Sequence, residues 1–135
     1  TPRGLIIMLK IYTDAATNQK NHTFAAGILI VKNQQQTQLK YDISATDNHE
    51  AEFIAAIHGF NYLIENFPDE DLVFFYSDSK ILIDSLEKQY SKSYSQTLAD
   101  LLALQENFPI VINNWISDKE NAGAHTLAIQ ALHEH

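Results

Sequence analysis

Met8-Leu-Lys-Ile-Tyr-Thr-Asp-Ala-Ala-Thr17 is the stretch that decides the fold of this chain. Leu9, Ile11 and Tyr12, preceded by Leu5-Ile-Ile7, form a run rich in β-branched and aromatic residues. Such a run predicts a strand buried on both faces in the middle of a sheet. The run ends at Asp14. A carboxylate at the end of a central strand is costly unless a cation, a donor or solvent meets it. Strand ends are also where open α/β sheets build their sites. Asp directly after a strand is equally ordinary turn punctuation, so the assignment of Asp14 depends on what the rest of the chain brings to it.

Downstream, Phe24 to Val31 gives a second apolar strand, and Asn33-Gln-Gln-Gln36 a polar turn. Thr37, Leu39, Tyr41 and Ile43 alternate with polar residues, the mark of a half-exposed antiparallel edge strand. The period then changes. Phe53, Ile57, Phe60, Ile64 and Phe67 recur at helical spacing, with Ala56, Gly59 and Leu63 on the adjoining face for close packing on a sheet. Asn48 is the expected N-cap and Pro68 the stop. Leu72 to Tyr76 reads as a fourth strand ending at Ser77-Asp78, Ser79 to Tyr90 as a second helix, and Ser95 to Phe108 as a third. Ile110 to Ile116 is a fifth strand and Ala122 to Glu134 a terminal helix. The order βββαβααβα predicts one mixed α/β layer structure.

The composition narrows the function classes. At 135 residues the chain is one domain, read as residues 8–135 after a flexible extension or cloning remnant over 1–7. No apolar run approaches the roughly 20 residues needed to cross a bilayer, and no signal peptide is visible, so a cytoplasmic protein with no membrane association is expected. The absence of cysteine excludes disulfides, thiolate zinc sites and a cysteine nucleophile. Nine Lys and Arg stand against 17 Asp and Glu, a net charge of −8. That is the wrong sign for a generic nucleic-acid binder, so any such function must rely on a local site or on bound cations.

Three acids fall where elements begin or end: Asp14, Glu52 in the first turn of the first helix, and Asp78 after the fourth strand. Glu52, like Glu50, is accounted for by the helix dipole, and Asp78 by an N-cap. If the first and fourth strands are parallel neighbours, however, Asp14 and Asp78 come side by side, and a helix packed through Ala56 and Gly59 aims Glu52 at them. Carboxylates so gathered repel unless cations bind. An all-oxygen cluster suits Mg²⁺ or Mn²⁺, and two such ions serve phosphoryl-transfer chemistry.

Tyr12-Thr-Asp14, Asn48-His-Glu-Ala-Glu-Phe53, Tyr76-Ser-Asp-Ser79 and Trp115-Ile…Glu120-Asn121…Ala124-His125-Thr-Leu-Ala128 resemble, in order, the successive motifs of the ribonuclease H fold. The similarity is to the small bacterial type I, reverse-transcriptase-like group, and spans the chain from about residue 8. It implies a five-stranded mixed sheet in the order 3-2-1-4-5 with helices on both faces. It also implies endonucleolytic cleavage of the RNA strand of an RNA/DNA hybrid, with two divalent ions and water as nucleophile. Asp14, Glu52 and Asp78 match the catalytic, metal-holding carboxylates. Asn48 matches the Asn that meets the RNA strand, with Ala15, His49, Ser79 and Asn121 as further substrate-side positions.

The fourth catalytic and metal position, Asp in the family, is His125 here. On the terminal helix it shares a face with Asn121, Ala128 and Leu132. Its imidazole is open to three roles: a metal ligand that favours Mn²⁺, a proton-transfer group near the leaving oxygen, or a filler in an inactive site. Asp118 and Glu120 are poor substitutes, since Glu120 projects about 140° from His125 on an ideal helix. The link Ser91 to Tyr94 is too short for the basic handle of some relatives, and Lys80, Lys88 and Lys92 are the only local cations. Trp115 is expected in the core. The expectation is therefore a hybrid-cleaving nuclease; the alternative is a weak or inactive module of the same fold that binds nucleic acid or a protein partner.

Overall fold

The computed structural model describes residues 8–134; the extension expected over 1–7 and the side chain of His135 lie outside them. The sheet has five strands in the order 3-2-1-4-5, as expected. Strands β1 (Leu9–Asn18), β2 (Thr23–Lys32) and β3 (Gln35–Ile43) form an antiparallel meander. Asn33 and Gln34 turn the β2–β3 hairpin with positive φ, the twist a two-residue connection demands. Strands β4 (Leu72–Ser77) and β5 (Ile110–Trp115) run parallel to β1.

Helices α1 (Asn48–Asn66), α2 (Lys80–Lys88) and α3 (Ser95–Gln105) stand on one side of the sheet. They close the main core around Phe53, Phe60, Phe75, Ile11, Leu63 and Leu101. Each of these fully buried side chains contributes about 2 kcal/mol of transfer free energy. Helix α4 (Ala122–His133), entered through a 3₁₀ turn over Asp118–Asn121, covers part of the other side. Its contact is a small alanine core of Ala16, Ala25, Ala128 and Ala131 with Leu132. Gly27 permits that approach: a Cβ there would stand 2.2 Å from the Ala124 carbonyl oxygen and 2.3 Å from the Ala128 nitrogen.

Several boundaries differ from the sequence reading. Strand β1 does not stop at Asp14 but runs on to Asn18, because Ala15 to Asn18 pair with Thr23 to Ala26 of β2. Burial of β1 on its two faces is uneven: Leu9, Ile11 and Thr13 are covered on one, whereas on the other Asp14 and Ala16 are buried but Lys10 and Tyr12 only half-buried. The cap of α1 is Asp47, one residue before Asn48; its Oδ1 accepts from the Glu50 N–H at 2.8 Å. Ser79 caps α2. Trp115 lies outside the core, 53% exposed.

Candidate active site

The site forms where two strands part company. Parallel pairing of β1 with β4 ends at Tyr12–Tyr76, whose rings stack 4.7 Å apart. Two residues further on, β1 carries Asp14, held in register with Gly27 and 3% exposed. Two residues beyond Tyr76, the chain leaving β4 carries Asp78. The Asp47 cap starts α1 so that Glu52 falls within its first two turns, and Gly59 lets the helix close on Ile11 and Thr13.

Asp14, Glu52 and Asp78 each present a carboxylate oxygen within 4.8 Å of the others. The Oε1 of Glu52 is buried and has no hydrogen-bond partner. Burial, then the charge of Asp78, pushes the Asp14 carboxyl up to about 6, against the lowering effect of His125. Glu52 is raised well above the carboxylate range by burial and by the charges of Asp14 and Asp78. Asp78 is raised by burial and next by Asp118. Among the described residues no lysine relieves this crowding; Lys32 pairs with Glu70 and Lys40 with Glu134. Three converging hard oxygen donors, one of them orphaned, fit a divalent cation such as Mg²⁺ or Mn²⁺.

His125 is not one of the three. Its Nδ1 lies 2.7 Å from the Asp14 Oδ2, and its side chain is 57% exposed, unlike Ala128 and Leu132, which are buried on the same helix. The imidazole thus grips Asp14 from the solvent side. Asn121, expected beside substrate, is buried: its amide donates to the Thr13 carbonyl at 2.9 Å and lies close enough to Asp78 to lower its pKa. Asn48 and His49 are exposed on the first turn of α1, and His49 meets the ring of Tyr94 edge-on. The backbone of Ala15 lies close enough to both Asp14 and Glu52 to lower their pKa values against the other influences. Ser79 is occupied as a cap, accepting from the Leu82 N–H.

Two neighbours of the site escaped the sequence reading. Asp118 was set aside as a poor stand-in for His125, yet its charge acts on Asp78. The signal was present: Ser117-Asp-Lys-Glu120 is a capping box, with Glu120 accepting from both the backbone and the hydroxyl of Ser117. That box starts the turn at Asp118 and so places Asp118 beside the β4 end. Tyr94 was the other; its hydroxyl donates to the second oxygen of Asp47 at 2.9 Å and ties the α2–α3 link to the start of α1.

The fold matches solved ribonuclease H structures closely. Ribonuclease H1 of Halobacterium salinarum superposes with a TM-score of 0.85 at 19% identity, covering 95% of this chain and 99% of that one. LC11 ribonuclease H1, solved in complex with an RNA/DNA hybrid, gives 0.82 at 21% identity over 93% and 97%. At the sequence level, EbsB of Enterococcus faecalis, a candidate hydrolase, is 37% identical over 127 residues, 93% of this chain and 94% of its own length. The family model described as RNase H matches residues 8–131, from the start of β1 almost to the end of α4. A sheet of this order, its acids at the parting of β1 and β4, and a family match along nearly the whole chain lead to one assignment: the chain belongs to the ribonuclease H family.

Proposed function

We propose that this protein is a metal-dependent endonuclease that hydrolyses the RNA strand of RNA/DNA hybrids. The observation that carries the reading is the convergence of Asp14, Glu52 and Asp78 within 4.8 Å, with a buried Glu52 oxygen left without a partner. Such a cluster is held together against mutual repulsion for a reason, and a pair of Mg²⁺ or Mn²⁺ ions supplies it. Bound there, the ions would supply an activated water and charge stabilisation of the leaving oxygen.

The chain's own residues prepare that chemistry. Asp14, Glu52 and Asp78 hold the ions. The backbone of Ala15 steadies two of the three carboxylates, and Asn121 fixes the strand beneath them through the Thr13 carbonyl. His125, gripping Asp14 Oδ2, fixes the orientation of that carboxylate and stands where it can exchange a proton with water at the site's rim. Asn48 and His49, exposed on the first turn of α1, are the residues that would meet the 2′-hydroxyls of a hybrid, the group that distinguishes RNA from DNA.

The test is cleavage of a labelled RNA/DNA hybrid with Mg²⁺ and, separately, with Mn²⁺. Wild type is expected to cut, and Asp78→Asn to lose activity by about a hundredfold or more, as loss of an electrostatic catalytic group does. Restoring the family residue with His125→Asp is expected to raise Mg²⁺-dependent cutting. Cutting that survives Asp78→Asn would remove this site from the reaction.

Two observations favour a second reading, a binding module without catalysis. His125 already occupies an Asp14 oxygen, and the chain carries a net charge of −8. That reading is met by hybrid binding with no cleavage under either ion, and no gain from His125→Asp.

A further inference from the structure

We infer that Trp115 is a substrate contact of this site: its exposed ring packs against the sugar edge of a nucleotide flanking the cleaved bond. The inference rests on the nuclease reading and names a binding residue for it. Strands β1, β4 and β5 are parallel, and in such sheets ligands meet the carboxyl ends of the strands. The candidate site already draws Asp14 from β1 and Asp78 from the end of β4. Trp115 is the last residue of β5, in register with Ser77 and so next to the residue that precedes Asp78.

The ring is fixed in place. Its Nε1–H donates to the Asp78 carbonyl oxygen at 3.1 Å, and the next residue, Ile116, donates its N–H to the Ser77 carbonyl at 3.0 Å. Two hydrogen bonds thus clamp residues 115 and 116 to the segment that delivers Asp78. Yet the side chain remains 53% exposed, an uncommon state for tryptophan, which is mostly buried in folded chains. A large apolar ring held rigid and outward, one hydrogen bond from an ion-holding residue, is preorganised for contact and loses little conformational freedom on binding. The partner chemistry follows from the site. An A-form duplex presents a wide, shallow minor groove walled by ribose, so a flat indole meets sugar C–H surface there. With few cations available in this acidic chain, apolar contact of this kind supplies affinity that phosphate pairing does not.

Trp115 is the only tryptophan in the sequence, which makes the test direct. Wild-type protein, kept from cleaving by Ca²⁺ in place of Mg²⁺, is titrated with an end-labelled RNA/DNA hybrid, reading label anisotropy and tryptophan emission together. Emission is expected to change saturably along the same isotherm as anisotropy. With Mg²⁺ restored, Trp115→Ala is expected to raise KM for the hybrid about fivefold, the lower range for loss of an aromatic–nucleotide contact, with kcat changed less than KM. Trp115→Phe, which keeps a ring but loses the indole N–H, should stay within about twofold of wild type. Thermal melts of both variants check that the exposed substitution leaves the fold intact.

Anisotropy that reports binding while emission stays flat overturns the contact. So does a Trp115→Phe as impaired as Trp115→Ala with an altered metal dependence, because the indole would then act only by positioning Asp78. An absence of hybrid binding by anisotropy overturns the hybrid reading itself and this inference with it.

Discussion

Asp14 and His125 share one short contact, and its consequences are local. The carboxyl of Asp14 is pushed up to about 6 by burial and by Asp78, while His125 pulls the other way and Glu52 crowds the same space. In the metal-free protein the folded state holds this proton more tightly than the unfolded chain, whose Asp titrates near 4. Stability therefore rises as pH falls from 7 through 6, and the gain is complete near 4. Asp14 is buried, so the gain is of the order of 2 kcal/mol. His58, held below its ordinary value by burial against Tyr41, acts in the opposite sense as it is forced to charge. Comparing melts of wild type and Asp14→Asn in EDTA at pH 7 and pH 5 isolates the carboxylate. The wild type should gain on Asp14→Asn at the lower pH, and parallel melts would mean that the cluster is not strained. The three acids were legible in sequence because each lies within a motif of the ribonuclease H pattern, although Asp14 proves to sit inside β1 rather than at its end. The grip of His125 was not, since helical spacing places it on the face of Ala128 and Leu132 and says nothing of which strand residue it meets.

Elements are seated here by glycines, with unequal tolerance. At Gly27 the nearest atoms to an added Cβ are backbone, the Ala124 oxygen and the Ala128 nitrogen, which cannot rotate away. At Gly59 they are the Cδ1 of Ile11 and the Cγ2 of Thr13, ends of side chains. Gly27→Ala should therefore lift α4 and cost about 3 kcal/mol, at or beyond the upper range for overpacking, whereas Gly59→Ala should cost about 1 kcal/mol. Because His125 rides on α4, Gly27→Ala should also lower activity more than its stability loss explains. Urea unfolding with parallel hybrid assays checks both, and equal costs at the two glycines would refute the packing argument. The Gly59 contact was readable, as Ala56 and Gly59 recur with helical period. The Gly27 contact was hidden, because a glycine inside a strand names no partner and this one lies about 100 residues away. Polar, small Ala15 to Asn18 likewise concealed the second half of β1, whose pairing with β2 only the fold reveals.

For the whole molecule, the acidic balance sets how a polyanion is met. A protein that neutralises 6–10 phosphates loses about 10³- to 10⁵-fold in affinity between 50 and 200 mM salt. With nine Lys and Arg in the sequence, of which Lys32 and Lys40 are paired within the fold, this chain has few to spend. Hybrid affinity at fixed Mg²⁺ should accordingly fall by less than about tenfold over that salt range, while removal of divalent ions should abolish binding. A steep salt slope would mean that lysines such as Lys88 and Lys92 line the substrate path after all. Fold class and strand order were open to reading from periodicity and motif order together. The exposure of Trp115 was not, because Asn113, Asn114 and Trp115 break the alternation that would have assigned its side.

The stacked rings of Tyr12 and Tyr76 sit on the last rung shared by β1 and β4, directly below the two aspartates. Their 4.7 Å separation is the spacing that backbone pairing imposes on any two neighbouring strands, so the two carboxylates two residues further on start from a separation dictated by the sheet rather than by the acids themselves. The candidate site can then be altered, by a changed residue at 125 or a new loop after β5, without resetting that spacing.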